Sequence, residues 1–408
     1  MLNYIDLFAG CGGLTDGFES TGHYKGVAFV EWENKPCQTL INRLKKKWDY
    51  QNADTSTLCF DIQRTEELIF GWEQDPLYGS SDGLKGLIGG TNIDLVIGGP
   101  PCQAYSMAGR VRDEHGMKFD YRNYLFEGYL KIVDHYRPKL FVFENVEGIL
   151  SARPGDIPIT IRIKKSLKEI GFSIIDDIRK YALVNSADYN VPQVRKRVII
   201  VGVNEEYFGA AAENILVDYY TNILPRYKGN EKKVGPAIMD LPPFYPVNSD
   251  LKTNGKRISH ASDEKYVSNH VPRFHSKRDQ EIFAELAHDK KNGSQKYRTI
   301  ESLKELYFLK TGKVSNFHKY NVLDEDKPSN TIPAHLYKDG LRHIHPDPIQ
   351  ARTITPREAA RLQGFDDDFE FIGSLGDQYK MIGNAVPPPL ADKIARSVDD
   401  LLNKYNTH

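Results

Sequence analysis

Over the first two hundred positions the apolar residues come in short continuous runs, not in alternation with polar ones. Tyr4-Ile5-Asp6-Leu7-Phe8, Val27-Ala28-Phe29-Val30 and Ile93-Asp94-Leu95-Val96-Ile97 are the early examples; Leu140-Phe141-Val142-Phe143 and Val198-Ile199-Ile200-Val201-Gly202 follow. Runs of this length read as strands buried on both faces. Amphipathic stretches separate them, one reaching about Thr21 and another following Pro36. The alternation predicts an α/β fold, a doubly wound and mostly parallel sheet. From about residue 204 to 350 the pattern degrades into Tyr, Lys, Asn, His and Pro, and only a few short runs look regular, such as the helical Asp279 to Ala287. Periodicity returns at Ile354-Thr355-Pro356-Arg357-Glu358-Ala359-Ala360-Arg361-Leu362. There Thr355 stands as N-cap, Pro356 at the first helical position and Glu358 three residues after the cap, a capping box. A last amphipathic helix is expected from about Pro389 to Asn403. The expected organisation is an α/β domain from residues 1–203 plus 376–408, a second, smaller, loop-rich domain over 204–350, and a hinge or connecting segment over 351–375.

Composition changes this picture little. A chain of 408 residues, 40% hydrophobic and 27% charged, is that of a globular protein of two or three lobes. No apolar run approaches membrane-spanning length, and Met1-Leu2-Asn3-Tyr4 enters a strand without a basic-plus-apolar leader. A cytoplasmic protein, or a nuclear one if eukaryotic, with no membrane partner is the expectation. Cys11, Cys37, Cys59 and Cys102 show no Cys-x-x-Cys spacing, so neither a disulfide framework nor a zinc site is suggested. His343 and His345, flanked by Pro346 and Pro348 with no cysteine or carboxylate ligand nearby, read as turn residues, and no metal is expected.

Charge adds more. The formal net charge of −1 hides an asymmetry: from Arg226 to Lys319, 19 Lys and Arg face 11 Asp and Glu, against 35 and 44 elsewhere. A basic middle segment in an acidic chain is either one lobe facing a polyanion or a solvated lysine-rich surface.

Candidate chemistry gathers at three strand ends. The first strand runs into Gly10-Cys11-Gly12-Gly13 and a helix, a loop whose backbone N–H groups can approach an anionic or polar ligand. Glu31 follows the second strand, nineteen residues after Gly12, where an acidic side chain would meet a ribose diol. Loop and acid together favour an adenosine-bearing cofactor. Asp61-Ile62 is either a third contact, to the adenine edge, or a surface feature. The next strand ends in Gly98-Gly99-Pro100-Pro101-Cys102-Gln103, where two prolines fix φ and hold a thiol rigidly at the sheet's mouth. The third end is Glu144-Asn145-Val146. Between Cys102 and Glu144 there is room for one loop and one helix, so the two strands should be parallel neighbours. A thiol and a carboxyl converging beside a nucleotide-like pocket form a nucleophile plus acid–base pair. In extended backbone Gln193, Arg195 and Arg197 share a face, so the two guanidiniums either point into the cleft or are solvated arginines leading into a strand.

Quoted in order, these segments resemble the motif series of the cytosine-5 DNA methyltransferase family. They are Asp6-Leu7-Phe8-Ala9-Gly10-Cys11-Gly12-Gly13, Gly99-Pro100-Pro101-Cys102-Gln103-Ala104-Tyr105-Ser106, Glu144-Asn145-Val146, Gln193 to Arg197, Arg357 to Phe365 and Gly383-Asn384-Ala385-Val386-Pro387. The resemblance covers roughly residues 1–203 and 321–400 and implies S-adenosyl-L-methionine as cofactor. It implies contacts to that cofactor from Phe8, Ala9, Gly10, Cys11, Gly12, Gly13, Leu14, Glu31, Trp32, Asp61, Ile62, Gly99, Pro101, Asn384, Ala385 and Val386. It also implies that Cys102 attacks C6 of a flipped cytosine, that Glu144 hydrogen-bonds N3, and that Arg197 holds the carbonyl. Asn145, Arg195 and Gln103 complete the catalytic set. Ser106, Arg110, Arg112 and Lys118, on a segment suited to closing over the base, and the Thr331-Ile332 pair would face DNA. The 204–350 lobe matches the family's target-recognition domain. Lys196 stands where an acidic residue often separates the two arginines, and Cys11 occupies a variable position.

The expected protein is thus a bacterial type II-like modification methyltransferase, a monomer acting on double-stranded DNA at the nucleoid, either the partner of a restriction endonuclease or a solitary relative. The alternative within the same motifs is a tRNA cytosine-5 methyltransferase, which the long variable lobe disfavours. A catalytically dead DNA-binding regulator is disfavoured by intact Cys102 and Glu144. A nicotinamide-dependent oxidoreductase leaves Pro-Pro-Cys unexplained.

Overall fold

The computed structural model describes residues 1–100, 125–153, 157–247, 251–253, 255–314 and 319–405. Its contacts divide into two compact units: Met1–Asn190 with Arg195–Asn230 and Ala385–His408, and Val191–Val194 with Glu231–Asn384.

The first unit is built on an eight-stranded sheet. Its strands are β1 (Leu2–Leu7), β2 (Tyr24–Glu31), β3 (Thr57–Cys59), β4 (Leu95–Gly98), β5 (Leu140–Val146), β6 (Phe172–Ile174), β7 (Leu183–Asn185) and β8 (Lys196–Asn204). Their order is β3-β2-β1-β4-β5-β8-β6, with β7 also paired to β8. The first five strands are mutually parallel, whereas β8 runs antiparallel to β5, β6 and β7. Order reverses between β1 and β4, so the carboxyl ends of those two strands open the crevice where such sheets bind ligands. Every residue of β4 is buried, as its unbroken apolar run requires.

Helices α1 (Gly13–Glu19), α2 (Asn34–Trp48), α3 (Leu125–Tyr136) and α4 (Ile159–Glu169) connect the strands. Buried Asp16 of α1 accepts from Arg43 Nε of α2 at 2.6 Å, from Arg43 Nη2 at 3.0 Å and from Trp48 Nε1 at 2.9 Å. That pairing leaves the charged pair satisfied away from water, the condition for tolerating it there. Tyr129 of α3 fixes the crossover helix by donating its hydroxyl to the Val96 and Val142 carbonyls, each at 3.2 Å.

The second unit carries α5 (Lys277–Lys291), α6 (Ile300–Thr311), α7 (Pro356–Gln363) and α8 (Leu375–Asn384). Ile282, Phe283, Leu286, Ala287, Leu306, Val322 and Ile344 form a buried cluster there. The capping box read at Thr355 and Glu358 is present: Thr355 N–H donates to Glu358 Oε2 at 2.7 Å, and Glu358 N–H to Thr355 Oγ1 at 3.2 Å. The final helix, α9 (Pro388–Tyr405), packs in the first unit. Among the described residues no helix is long and apolar enough to cross a membrane.

Candidate active site

Phe8, directly after β1, lies in the left-handed region, at φ 62°. A bulky residue there is strained, and such outliers gather at ligand sites. The Ala9 N–H ties the turn to the Val30 carbonyl at 2.9 Å, and Gly10 (φ 58°) and Gly12 (φ 97°) carry the chain into α1. Gly13 has no room for a side chain: a Cβ would lie 2.3 Å from the Val386 carbonyl oxygen and 3.2 Å from Ala385 Cβ. Two cofactor-contact groups predicted from opposite ends of the chain therefore touch. Arg195 braces the same place, donating Nη2 to the Ala385 carbonyl at 3.1 Å. Leu14 and Cys11 are buried, and burial pushes the Cys11 thiol far up, so it is no competing nucleophile. Asn384 ends α8, in the second unit.

Glu31, at the end of β2, turns its carboxyl back on the loop. It accepts from the Gly10 N–H at 2.9 Å, from Trp32 N–H at 2.9 Å and from Glu33 N–H at 2.8 Å. Burial pushes its pKa up to about 7, opposed by those backbone donors. Trp32 is exposed, Ile62 is buried, and Asp61 uses one oxygen on the Gln63 N–H at 3.0 Å. Asp6 was not singled out by sequence reasoning. It is fully buried in β1, takes the Thr15 hydroxyl on Oδ2 at 2.6 Å, and leaves Oδ1 without a partner among the described residues. Burial raises its pKa to about 7. The available signal was an acid inside an otherwise apolar strand.

At the next strand ends, Gly98 pairs with Leu7 on one side and Phe143 on the other. A Cβ on Gly99 would fall 2.8 Å from Glu144 Oε2, and Asn145 Nδ2 donates to the Pro100 carbonyl at 3.2 Å. The Gly99–Pro100 turn is thus held against Glu144 and Asn145 of β5. Asn145 also accepts the Val146 N–H at 2.8 Å, which leaves its side chain little freedom. Glu144 is 9% exposed and meets Arg197 Nε at 2.8 Å. Burial holds its carboxyl above the ordinary range despite the opposing pull of Arg197 and Arg195. Pro101, Cys102, Gln103, Ser106, Arg110, Arg112 and Lys118 lie outside the described residues.

Other expectations change. Of the three residues expected on one cleft face, Arg197 meets the Glu144 carboxylate. Arg195 is 1% exposed, and burial lowers its guanidinium's pKa strongly. Gln193 is fully buried, accepting the Ile332 N–H at 2.9 Å and donating to the Leu362 carbonyl at 3.3 Å and to the Gln363 side chain. Each side chain follows the partner that satisfies it, because an unpaired buried polar group is costly. Thr331 is exposed with its hydroxyl on the Val194 carbonyl at 2.7 Å, but Ile332 is completely buried and offers DNA no side-chain surface. His343 and His345, read as turn residues, are buried, each 1% exposed. No group of three metal-ligating side chains occurs among the described residues.

A glycine loop, an acid-bearing strand end and a positioned glutamate along one edge of this sheet define an α/β methyltransferase-type fold. The S. pombe Dnmt2 methyltransferase shares the fold at a TM-score of 0.56 and 14% identity, over 100% of both chains. An E. coli prophage-encoded protein described as a DNA modification methyltransferase does so at 0.63 and 23%, over 99% of this chain and 100% of its own. In sequence, the chain is 34% identical to the type II methyltransferase M.Bpa9945I of Bacillus paralicheniformis, over 98% of this chain and 99% of that protein. It is 30% identical to M.DdeI of Desulfomicrobium norvegicum, over 99% and 90%. The family model for C-5 cytosine-specific DNA methylase matches residues 2–400. The chain belongs to that family, the DNA (cytosine-5) methyltransferases, which use S-adenosylmethionine.

Proposed function

We propose that this protein methylates C5 of one cytosine within a specific duplex sequence, as the modification partner of a restriction endonuclease, acting as a monomer on bacterial cytoplasmic DNA. The observation that carries the reading is Glu144: buried, bound to Arg197, and set against the Gly99–Pro100 turn beside the glycine loop.

The residues fit S-adenosylmethionine. Phe8 to Leu14 offer a strained, glycine-lined turn that no Cβ can enter at Gly13, with Ala385 and Val386 beside it. Glu31 orders that turn through the Gly10 N–H and would meet the ribose with its remaining acceptor capacity. Trp32, Asp61, Ile62, Gly99 and Pro101 complete the contacts. When bound, the cofactor supplies an electrophilic methyl group.

C5 of cytosine is a poor nucleophile, and a stacked base is out of reach, so the target is flipped. The Cys102 thiolate adds at C6, forming a C–S bond and breaking the ring's aromaticity, which gives C5 enamine character. Glu144 in its protonated form hydrogen-bonds N3 and neutralises the charge that this addition builds. Arg197 holds the carbonyl; Arg195 positions Ala385; Asn145 positions the turn before Cys102; Gln103 supports the thiol's neighbourhood. After methylation, loss of the C5 proton to a base and expulsion of the Cys102 thiolate restore the aromatic ring. Ser106, Arg110, Arg112, Lys118 and Thr331 contact DNA, and the 204–350 region recognises the target.

Incubation with labelled S-adenosylmethionine and either duplex DNA or tRNA tests the substrate. Label is expected in DNA; label confined to tRNA overturns the reading. Cys102→Ala is expected to abolish both methylation and the covalent adduct with 5-fluorocytosine DNA while retaining cofactor affinity. Full turnover in that variant would remove the nucleophile role.

A further inference from the structure

In the second unit Tyr245–Val247 faces Ser259–Ala261 and Leu251–Thr253 faces Lys256–Ile258, two short antiparallel ribbon segments. In the first Tyr245 pairs with Ala261 and Pro246 with His260, and the Val247 N–H reaches the Ser259 carbonyl at 3.0 Å. His260 is buried there, its ring bonded to the Ser259 hydroxyl and the Gln350 carbonyl, both at 2.9 Å. Further out the Ile258 N–H donates to the Leu251 carbonyl at 2.9 Å, Lys252 pairs with Arg257, and Thr253 with Lys256. Lys252, Thr253, Lys256 and Arg257 are all exposed. The outer of these two segments, the ribbon's tip, is thus basic, and the inner one is anchored through His260.

The tip breaks a local rule. Residues directly opposite in an antiparallel pair share a face, and like charges there are destabilising. Lys252 and Arg257 are such a pair, and among the described residues none of Lys252, Lys256 or Arg257 has an ion-pair partner. Elsewhere in the same unit Lys233, Arg278, Lys319 and Arg361 each meet a carboxylate. Protecting a ribbon edge from aggregation needs a lysine, not two cations facing across one rung. Uncompensated violations of this kind mark function. Arg257 is also oriented: its guanidinium carbon lies 5.5 Å from the ring centroid of Phe274, itself 50% exposed. Stacking fixes the plane of the fork while its N–H edge stays available.

We propose that this tip enters the major groove of the target duplex, Lys252 and Lys256 neutralising phosphates and Arg257 reading a guanine edge. A two-stranded ribbon fits that groove, and a guanidinium pairs in bidentate fashion with guanine O6 and N7. The inference rests on the duplex-DNA reading above and deepens it by naming the specificity element.

Bisulfite sequencing of a mixed-sequence plasmid, with DNA affinity measured against salt, tests it in the full-length enzyme. The Lys252→Ala/Lys256→Ala double variant is expected to bind all sequences more weakly, with the slope of log K on log salt reduced by about 1.8. Arg257→Ala should lose roughly tenfold or more discrimination at one position of the recognised site, and Arg257→Lys should not restore it. Unchanged site preference in both arginine variants with an unchanged salt slope in the double variant overturns the ribbon's role. That result, with wild type methylating DNA normally, leaves the parent reading standing. A wild type that methylates no duplex removes the parent reading and this one with it.

Discussion

Glu144 answers two opposed demands. Its burial favours the neutral acid, whereas Arg197 at 2.8 Å favours the carboxylate, and burial prevails, leaving the pKa raised. A group used as the protonated partner of N3 gains from that balance. The sign follows: raising pH through the elevated pKa removes the acid form, so the methylation rate should fall on the alkaline side. Glu144→Gln should erase that limb and lower the single-turnover rate by about 10² to 10⁴, with DNA affinity nearly unchanged. A near-normal rate in the variant would show the acid role misassigned. Gly13 makes a second, purely steric test. A methyl group there must displace the Val386 carbonyl from 2.3 Å, so Gly13→Ala should weaken S-adenosylmethionine binding about tenfold or more, read by calorimetry.

At the scale of elements, the contact between α1 and α9 depends on one absent side chain. A Cβ at Gly17 would meet Ala391 Cβ at 2.3 Å, the Asp392 amide nitrogen at 2.6 Å and the Pro388 carbonyl at 2.7 Å. Gly17→Ala should therefore destabilise the protein by about 2 kcal/mol, despite alanine's better helix propensity. An unchanged melting temperature would contradict the packing. What was legible here had local causes. Buried strands showed as apolar runs, and α7 was announced by Thr355, Pro356 and Glu358. Cys102's strand and Glu144's strand were correctly read as neighbours because a crossover helix fits between them. The antiparallel direction of β8 was not legible, since a run such as Val198 to Val201 looks the same in either direction. Helix α6 escaped because its apolar residues do not keep to one face, leaving Ile300, Phe308 and Leu309 exposed. The burial of Gln193, Arg195 and Ile332 escaped too, because their partners are distant in sequence.

At the scale of the whole molecule, the two units carry opposite responses to acid. In the second unit His260 and His343 are held down to about 4, and His275 and His345 to about 3, all chiefly by burial. The unfolded chain protonates these rings near pH 6.5 and the folded one does not, so stability falls as pH drops from about 6.5 toward 4, by several kcal/mol in all. In the first unit Asp6 and Glu31 are raised to about 7, so the folded state binds protons before the unfolded state does. Their contribution therefore improves as pH falls from about 7 toward 4. Calorimetry at pH 5 should resolve the second unit melting first, with hydrogen exchange accelerating there; a single unshifted transition would refute the assignment. The junction of Gly13 with Ala385 and Val386 has a consequence for biosynthesis. A nascent chain has its glycine loop early, yet that loop's packing partners, and the helix against Gly17, are translated some 370 residues later, as the bond between Ser20 and Asp392 illustrates. Partial chains and prematurely terminated products thus lack a finished cofactor cradle, and a cell making this enzyme is spared truncated forms that would consume methyl donor or modify DNA out of turn.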